Sequence, residues 1–420
     1  MEKLVIEGGF PLKGEVKVSG SKNAALPILA AMLLTDEPCV IRNVPKLRDT
    51  STMLKLLRSL GKTVDVIDDK VTILTKGEIN YIADYKLVST MRGSFCVLGP
   101  LLGKLKKAKV SLPGGCVIGV RPVDLHLKGI KALGAKLEVD GGYVLATTKG
   151  LKGAHIYLGG VFGSSVLATA NVMMAAVLAE GETIIESAAC EPEIEDLTNC
   201  LIAMGAKIEG KGTPRIRITG VKSLHGVSYE IIHDRIEAGT YILLAAMTRS
   251  NITIVNGCYQ HLMALTDVLE QAGVNVISDG NNVKVKVKGG LQPVSVNTYP
   301  YPGFPTDLQA QFMALMAVTP GVSIITDKVY PDRFIHIAEL NRMGANIRRE
   351  GMCSIVQGIP VLKGAPVMAS DLRASAALVI AGLAAKGKTE IHRIYHLERG
   401  YENLDQKLSM LGAKIRREKE

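Results

Sequence analysis

The sequence predicts a mixed α/β protein made of six copies of one repeat of about 70 residues, grouped as two domains of three repeats each. Three observations predict this class. A glycine recurs at nearly constant spacing, an apolar helix pattern recurs upstream of it, and the chain of 420 residues is longer than one hydrophobic core usually holds.

The recurring glycine ends an amphipathic stretch and begins a short strand-like one, as in GIKALGAKLEV and LSMLGAKIRR. It lies at Gly61, Gly134, Gly205, Gly273, Gly344 and Gly412, so the successive spacings are 73, 71, 68, 71 and 68 residues. In the last repeat Leu404, Leu408 and Leu411 fall on one face of a helix, and a glycine after such a helix can cap it in the left-handed conformation.

A second helix–strand pair lies upstream in each repeat, for example VLATANVMMAAVLAEGETIIE and ASAALVIAGLAAKGKTEIH. These helices carry Ala, Leu and Met on nearly all sides, which is typical of buried helices. We therefore expect a repeat of strand, buried helix, strand, amphipathic helix and strand, with the helices inside and the sheets outside.

The seam between the two sets of three repeats falls in VSYEIIHDRIEAGT, residues 227–240. The opening segment KLVIEGGFPLKGEVKVSG predicts a strand, a turn and a strand without a helix of its own. It must therefore pair with strands of another repeat.

Composition narrows the classes of partner. The net charge of +10 suits anionic partners, whether nucleic acid, membrane surface or phosphorylated metabolites. The absence of tryptophan and the 4% aromatic content argue against a single-strand nucleic-acid binder. The apolar runs are shorter than the ~18 residues of a membrane span. Seven cysteines without a C-x-x-C pair favour reduced thiols in the cytoplasm over disulfides or a zinc site.

Polar residues collect in loops and at helix starts. In PGGCVIGVRPVDLH, Cys116 follows two glycines and Arg121 comes five residues later, which is typical of an accessible, activated thiol, although a free cysteine also serves as an apolar filler. Further charged signals begin buried helices in GSKNAALP, PTDLQAQ and ASDLRASAA, where helix N-termini favour anions. Each also has an ordinary interpretation as a helix cap or an ion pair.

Six cations hold comparable positions in different repeats, and we expect them to converge in a cleft between the two domains. They are Lys22, Arg92, Arg121, Arg333, Arg373 and Arg399. Arginine binds phosphate and carboxylate through two parallel hydrogen bonds. Because no P-loop, dinucleotide fingerprint or metal-ligand spacing is present, a phosphorylated substrate would be held by side chains and helix ends.

Together with AACEPEIED, FPTDLQAQF and RIYHLERGYE, these segments resemble the UDP-N-acetylglucosamine enolpyruvyl transferases over essentially the whole chain. The related enzymes that act on shikimate phosphate share the fold but lack the cysteine loop and the RGYE ending. The resemblance implies two inverse α/β barrel domains, one of residues 22–230 and the other of residues 1–21 with 231–420.

The resemblance also implies transfer of the enolpyruvyl group of phosphoenolpyruvate to the 3-hydroxyl of UDP-N-acetylglucosamine, with release of phosphate, as the first committed step of peptidoglycan precursor synthesis. It implies a cytoplasmic enzyme, expected to be a monomer, that needs no cofactor or metal, binds no nucleic acid and does not insert into membranes. The antibiotic fosfomycin is the expected covalent inhibitor of its cysteine.

Roles follow from the same resemblance. The implied catalytic residues are Cys116 as proton donor, Asp307 as acceptor of the sugar hydroxyl proton, Lys22 and Arg399. Phosphoenolpyruvate would contact Lys22, Asn23, Arg121 and Arg399. The nucleotide sugar would contact Asn23, Arg92, Arg121, Pro122, Val123, Asp124, Leu125, Ser165, Val166, Asp307 and Val329. The interdomain cleft would hold Arg333, Asp371 and Arg373.

One stretch departs from the family pattern. Where the family has SVGAT near the nucleotide diphosphate, residues 165–169 read SVLAT, so Leu167 replaces a glycine that lets the backbone approach phosphate.

The alternative interpretation is a ring of six α/β repeats around duplex DNA. That ring needs basic inner helices, whereas MMAAVLAEG and ALVIAGLAA are apolar.

Overall fold

The structure is a computed structural model that describes residues 2–114 and 123–419. Cys116, Arg121 and Pro122 of the predicted site lie outside the described residues. The described chain forms two compact units: residues 20–114 with 123–232, called the first unit, and residues 2–19 with 233–419, called the second unit. In both units the apolar helix patterns form helices and the alternating segments form strands.

The first unit contains the helices α1 (Lys22–Ala31), α2 (Arg48–Ser59), α3 (Tyr85–Val88), α4 (Leu98–Leu105), α5 (Asp124–Ala132), α6 (Val166–Ala176) and α7 (Pro192–Ala203). Its strands are β3 (Cys39–Arg42), β4 (Lys62–Ile67), β5 (Lys70–Thr75), β6 (Ile82–Ala83), β7 (Lys107–Ser111), β8 (Lys136–Asp140), β9 (Tyr143–Thr147), β10 (His155–Tyr157), β11 (Glu182–Glu186), β12 (Lys207–Glu209), β13 (Arg215–Thr219) and β14 (Ser228–Glu230). Short 3-10 helices span Met32–Leu34 and Arg92–Val97.

The second unit contains the helices α8 (Arg235–Thr248), α9 (Met263–Gln271), α10 (Gln309–Ala317), α11 (His336–Arg342), α12 (Leu372–Ala384) and α13 (Leu404–Met410). Its strands are β1 (Glu2–Glu7), β2 (Lys13–Lys17), β15 (Asn251–Val255), β16 (Val274–Asp279), β17 (Asn282–Val287), β18 (Val296–Thr298), β19 (Val322–Asp327), β20 (Asn346–Glu350), β21 (Cys353–Gln357), β22 (Pro366–Met368), β23 (Lys388–His392) and β24 (Lys414–Lys419). Its 3-10 helices span Tyr259–Leu262, Thr306–Leu308 and Ile394–Arg399.

Within the described residues each unit carries three four-stranded sheets of one topology. In the sheet β18-β19-β21-β20, β18 and β19 are parallel across a buried helix, and β21 is antiparallel to both of its neighbours. The prediction gave one strand after each recurring glycine, but after the first five of these glycines the structure has a hairpin of two. Gly412 is followed by β24 alone, which pairs with β1. The return strands were missed although segments such as NVKVKV in β17 and RIRIT in β13 alternate apolar and polar residues.

The opening segment pairs differently from the predicted hairpin. β1 lies between β23 and β24, with Leu4 opposite Ile391, whereas β2 is parallel to β15 in a different sheet. Each strand completes a repeat of the second unit that would otherwise have three strands. The prediction that the segment must pair with other repeats is therefore confirmed, but its two strands do not pair with each other.

Central apolar helices form the core of each unit, as predicted: α1, α4 and α6 in the first, and α8, α10 and α12 in the second. The helices approach closely where residues are small. A Cβ atom added at Gly99 of α4 would overlap the backbone oxygen of Asn171 on α6. No helix among the described residues is both long and apolar enough to cross a bilayer.

Candidate active site

In the second unit, Asp307, Asp371 and Arg373 lie at the N-terminal ends of buried helices. Asp371 caps α12, because its carboxylate accepts from the backbone N–H groups of Arg373 and Ala374. Asp307 lies in the 3-10 turn before α10, and its carboxylate is directed to arginine side chains. The capping interpretation therefore holds for Asp371, whereas Asp307 is held by ion pairs.

Asp307 is held by two buried arginines. Arg333 Nη1 donates to Asp307 Oδ1 at 2.6 Å, and Arg373 donates to Oδ2 from Nε at 3.2 Å and from Nη2 at 3.0 Å. The arginine side chains are 4% and 1% exposed, but that of Asp307 is 25% exposed. Burial alone would lower the pKa of each arginine, but the charge of Asp307 outweighs it and raises both pKa values. The cluster thus keeps a net positive charge and an accessible carboxylate.

A buried aspartate at the end of β19 organises the backbone around this cluster. Asp327 accepts from the hydroxyls of Thr298 and Thr306, each at 2.7 Å, and from the backbone N–H groups of Val329 and Tyr330. It therefore fixes both the residue before Asp307 and the predicted nucleotide contact Val329. The sequence prediction missed Asp327, although an aspartate ending a strand just before the loop KVYPDR was a usable signal.

Arg399 ends the 3-10 helix Ile394–Arg399, where it is half-buried. Two residues later, the Tyr401 ring packs under the guanidinium of Arg373, with 5.3 Å between the guanidinium carbon and the ring centroid. The segment that carries Arg399 is thus adjacent to the cluster around Asp307.

In the first unit, Lys22 is the first residue of α1 and is buried. Its Nζ lies 3.5 Å from Oδ2 of Asp49, and the two side chains are 8% and 6% exposed. Ser21 caps the helix by accepting from the N–H of Ala24, so the capping role considered for Asn23 belongs to Ser21. The sequence prediction missed Asp49, whose pattern in KLRDTST resembles any first helical turn.

Arg92 begins the 3-10 helix Arg92–Val97 close to a buried histidine, His126, that the sequence prediction also missed. Asn171 on α6 donates from Nδ2 to the carbonyl of Phe95 and lies 3.0 Å from His126 Nδ1, while its Oδ1 accepts from the N–H of Gly99. The His126 Nδ1 is therefore an acceptor. Burial, together with the charge of Arg92, lowers the pKa of His126 to about 3, so the ring is neutral.

The remaining predicted contacts of the first unit occupy helix starts. Val123, Asp124 and Leu125 form the start of α5, where Asp124 is exposed. Ser165 caps α6 by accepting from the N–H of Ala168 at 3.3 Å, and Val166 is the first helical residue. Among the described residues, no group of three or more His, Cys, Asp and Glu side chains could hold a metal ion.

The sequence profile of the EPSP synthase (3-phosphoshikimate 1-carboxyvinyltransferase) family matches residues 6–408. The chain belongs to the EPSP synthase family. This membership, together with the three-repeat units, confirms the predicted fold class of inverse α/β barrels built from repeated units. It also decides against the DNA-encircling ring.

Family members of known name match along the whole chain. UDP-N-acetylglucosamine 1-carboxyvinyltransferase 2 of Carboxydothermus hydrogenoformans is 54% identical over 419 residues, covering 99% of each chain. The UDP-N-acetylglucosamine 1-carboxyvinyltransferase of Akkermansia muciniphila is 50% identical over 420 residues, also covering 99% of each chain. The resemblance read from the sequence motifs is therefore confirmed.

Two solved structures have the same fold. The enolpyruvyl transferase NikO from Streptomyces tendae matches with a TM-score of 0.90 and 25% identity, covering 99% of this chain and 98% of that one. The EPSP synthase from Acinetobacter baumannii matches with a TM-score of 0.75 and 19% identity over the full length of both chains.

Proposed function

We propose that this chain transfers the enolpyruvyl group of phosphoenolpyruvate to the 3-hydroxyl of UDP-N-acetylglucosamine and releases phosphate, the first committed step of peptidoglycan precursor synthesis. The observation that carries the proposal is identity at half of all positions, along the full length, with enzymes named UDP-N-acetylglucosamine 1-carboxyvinyltransferase. The chain is accordingly a transferase, and the reaction calls for no cofactor.

The chemistry is an addition followed by an elimination. The sugar oxygen attacks C2 of phosphoenolpyruvate while C3 takes a proton, and loss of a proton from C3 then expels phosphate. Cys116 supplies the proton to C3. Asp307 takes the proton of the sugar hydroxyl. The two arginines that donate to Asp307 support this role, because they orient its partly exposed carboxylate.

Binding roles are assigned by type of charge. Lys22, Arg121 and Arg399, with Asn23, bind the phosphate and carboxylate of phosphoenolpyruvate. The nucleotide sugar is contacted by Asn23, Arg92, residues 121–125, Ser165, Val166, Asp307 and Val329. Arg333 and Arg373 pair with Asp307 within the second unit, and Asp371 caps the helix that carries Arg373. The chain acts in the cytoplasm as a monomer with two domains, residues 22–230 and residues 1–21 with 231–420.

Phosphate release tests the reaction. The wild-type protein is given phosphoenolpyruvate with UDP-N-acetylglucosamine, with shikimate 3-phosphate, or with no acceptor, and free phosphate is measured. We expect release with the nucleotide sugar alone. Release with shikimate 3-phosphate instead would assign the chain to the other activity of the family. If neither acceptor causes release, the proposal is removed.

Two variants test the proton donor. Cys116→Asp can still donate a proton but cannot be alkylated, so we expect it to keep activity and resist fosfomycin. Cys116→Ser has a hydroxyl too weakly acidic for this role, so we expect it to be nearly inactive. A fully active serine variant would remove the acid role of Cys116 without affecting the assignment of the reaction.

A further inference from the structure

Tyr401 lies where the three central helices of the second unit meet. The Tyr401 side chain is 3% exposed, and it contacts Thr240 on α8, Gln311 on α10 and Arg373 on α12. Each contact falls in the N-terminal half of its helix, near the end that carries the charged cluster. We call Tyr401, Thr240 and Gln311 the tyrosine hub.

Donor and acceptor counting fixes the direction of the hydrogen bond between Tyr401 and Thr240. The Thr240 hydroxyl donates to the carbonyl of Ile236 at 2.8 Å, so its only proton is used. The Tyr401 hydroxyl, 2.9 Å from Thr240 Oγ1, must therefore donate to it, and it accepts from Gln311 Nε2 at 3.1 Å. Gln311 Nε2 also lies 3.1 Å from the backbone oxygen of Asp307 and 3.2 Å from Thr240 Oγ1, so its two protons face three acceptors. The Tyr401 hydroxyl is thus tied to α8 through Thr240 and to α10 through Gln311.

The face of the Tyr401 ring contacts Arg373, the arginine that donates two hydrogen bonds to Asp307. The guanidinium of Arg373 lies over the Tyr401 ring and donates twice to one oxygen of Asp307. A cation over an aromatic face is attracted to it and confined to a plane, most strongly where water is excluded. The Arg373 side chain is 1% exposed, so this confinement operates away from solvent.

We propose that Tyr401 is the positioning residue for the Asp307 carboxylate: its ring fixes Arg373, and its hydroxyl fixes the ring to α8 and α10. Tyr401 has no assigned contact with either substrate, so it acts through Arg373. The inference rests on the proposed function only in that Asp307 must accept a proton from substrate.

Several charged groups surround this pair and share in its titration. Arg333 faces Asp307 from the loop after β19, while Asp371 and Asp234 act on the two arginines from the caps of α12 and α8. His336 on α11 is neutral because burial lowers its pKa to about 4. Replacing Tyr401 alters none of these charges, so a change in the titration of Asp307 reports its contact with Arg373.

The test compares Tyr401→Phe, which keeps the ring face, with Tyr401→Leu, which removes it. For each variant kcat, both KM values and the pH dependence of kcat are measured with thermal unfolding. Tyr241→Phe is the matched control, because Tyr241 is equally buried and its hydroxyl donates to Glu237 at 3.1 Å rather than to Thr240.

We expect Tyr401→Leu to lower kcat by about 10- to 100-fold, since small displacements of a reacting group cost this much, with both KM values within about threefold of wild type. With Arg373 loosened, the carboxylate keeps its proton to higher pH, so the acid limb of kcat moves upward by about half a pH unit or more. Tyr401→Phe keeps the ring face but loses the hydroxyl that anchors it, so it should shift the limb less than Tyr401→Leu does. Tyr241→Phe should match wild type throughout.

A double substitution tests the route through Arg373. In an Arg373→Lys background, Tyr401→Leu should cost little more, because the confined guanidinium is already gone. If Tyr401→Leu fails to fold, Tyr401→Met, which fills the space without a ring face, replaces it in the series. An unshifted acid limb, or equal effects of the phenylalanine and leucine variants, would overturn the proposal. Wild-type phosphate release in the same assay separates that outcome from failure of the proposed function.

Discussion

Replacing Asp196 by asparagine should stabilise the protein above pH 6 and flatten the pH dependence of its unfolding. Asp196 lies on α7 and is 2% exposed. Its carboxylate accepts from the Tyr229 hydroxyl at 2.6 Å and from the N–H of Ile232 at 3.2 Å. Burial, aided by the nearby charges of Glu193 and Glu195, outweighs these hydrogen bonds and raises the pKa of Asp196 from 3.8 to about 6.

The sign follows from proton linkage. The folded chain binds the Asp196 proton more tightly than the unfolded chain, so its contribution to stability is complete below pH 3.8 and is lost as the pH rises through about 6. Each pKa unit is worth about 1.4 kcal/mol. The rise from 3.8 to about 6 therefore limits the stability that ionisation of Asp196 removes to roughly 3 kcal/mol.

Asparagine can satisfy the same partners without the charge. Its Oδ1 can accept from the N–H of Ile232, and its Nδ2 can donate to the Tyr229 oxygen. The Tyr229 hydroxyl can then donate to the backbone oxygen of residue 196, which lies 3.1 Å away in the wild-type protein. We therefore expect Asp196→Asn to raise the free energy of unfolding by about 1–3 kcal/mol at pH 7.5.

Urea unfolding followed by circular dichroism between pH 4.5 and 7.5 measures the effect. Asp65→Asn, at an exposed position of β4 in the same unit, controls for loss of one negative charge. An Asp196→Asn protein that is less stable than wild type at pH 7.5, or that keeps the wild-type pH dependence, would refute the argument.

Two further predictions concern packing. Gly358→Ala should lower the melting temperature severely, because the added Cβ overlaps the Thr319 carbonyl oxygen. Gly150→Ala is the control: its Cβ meets no atom within 4 Å, so the melting temperature should not change. Equal melting temperatures for these two variants would contradict the close approach. Asn171→Leu should cost about 2–4 kcal/mol of unfolding free energy, because it leaves buried partners on three neighbouring elements unpaired. Asn297→Leu, at an exposed strand position, should be nearly neutral in the same urea titration.

Local patterns predicted the repeats and the central helices because their causes are local. The glycine that ends each amphipathic helix needs a left-handed conformation, and Gly134 and Gly412 have φ values of 88° and 91°. Helices with apolar residues on all sides have no face to leave in water. Strand pairing has no such local signature, so the separate sheets of β1 and β2 were not predicted.

The candidate site likewise combines residues that a local motif predicted with partners that only the fold brings together. The motif around Asp307 drew attention to that residue, but its arginine partners come from 26 and 66 residues further along the chain. Tyr401 carries no local sign of its role, because it acts through partners on other elements, whereas the local sign of Asp327 is only its place at the end of a strand.

The sequence by itself determined the family, the six repeats and the identity of the charged groups, since these depend on residue order and local periodicity. Only the tertiary structure decided which carboxylate caps a helix and which is held by two arginines, and it alone set the pKa of Asp196 and of His126. Burial and the distances between residues far apart in the chain control those properties, and both arise when the helices pack.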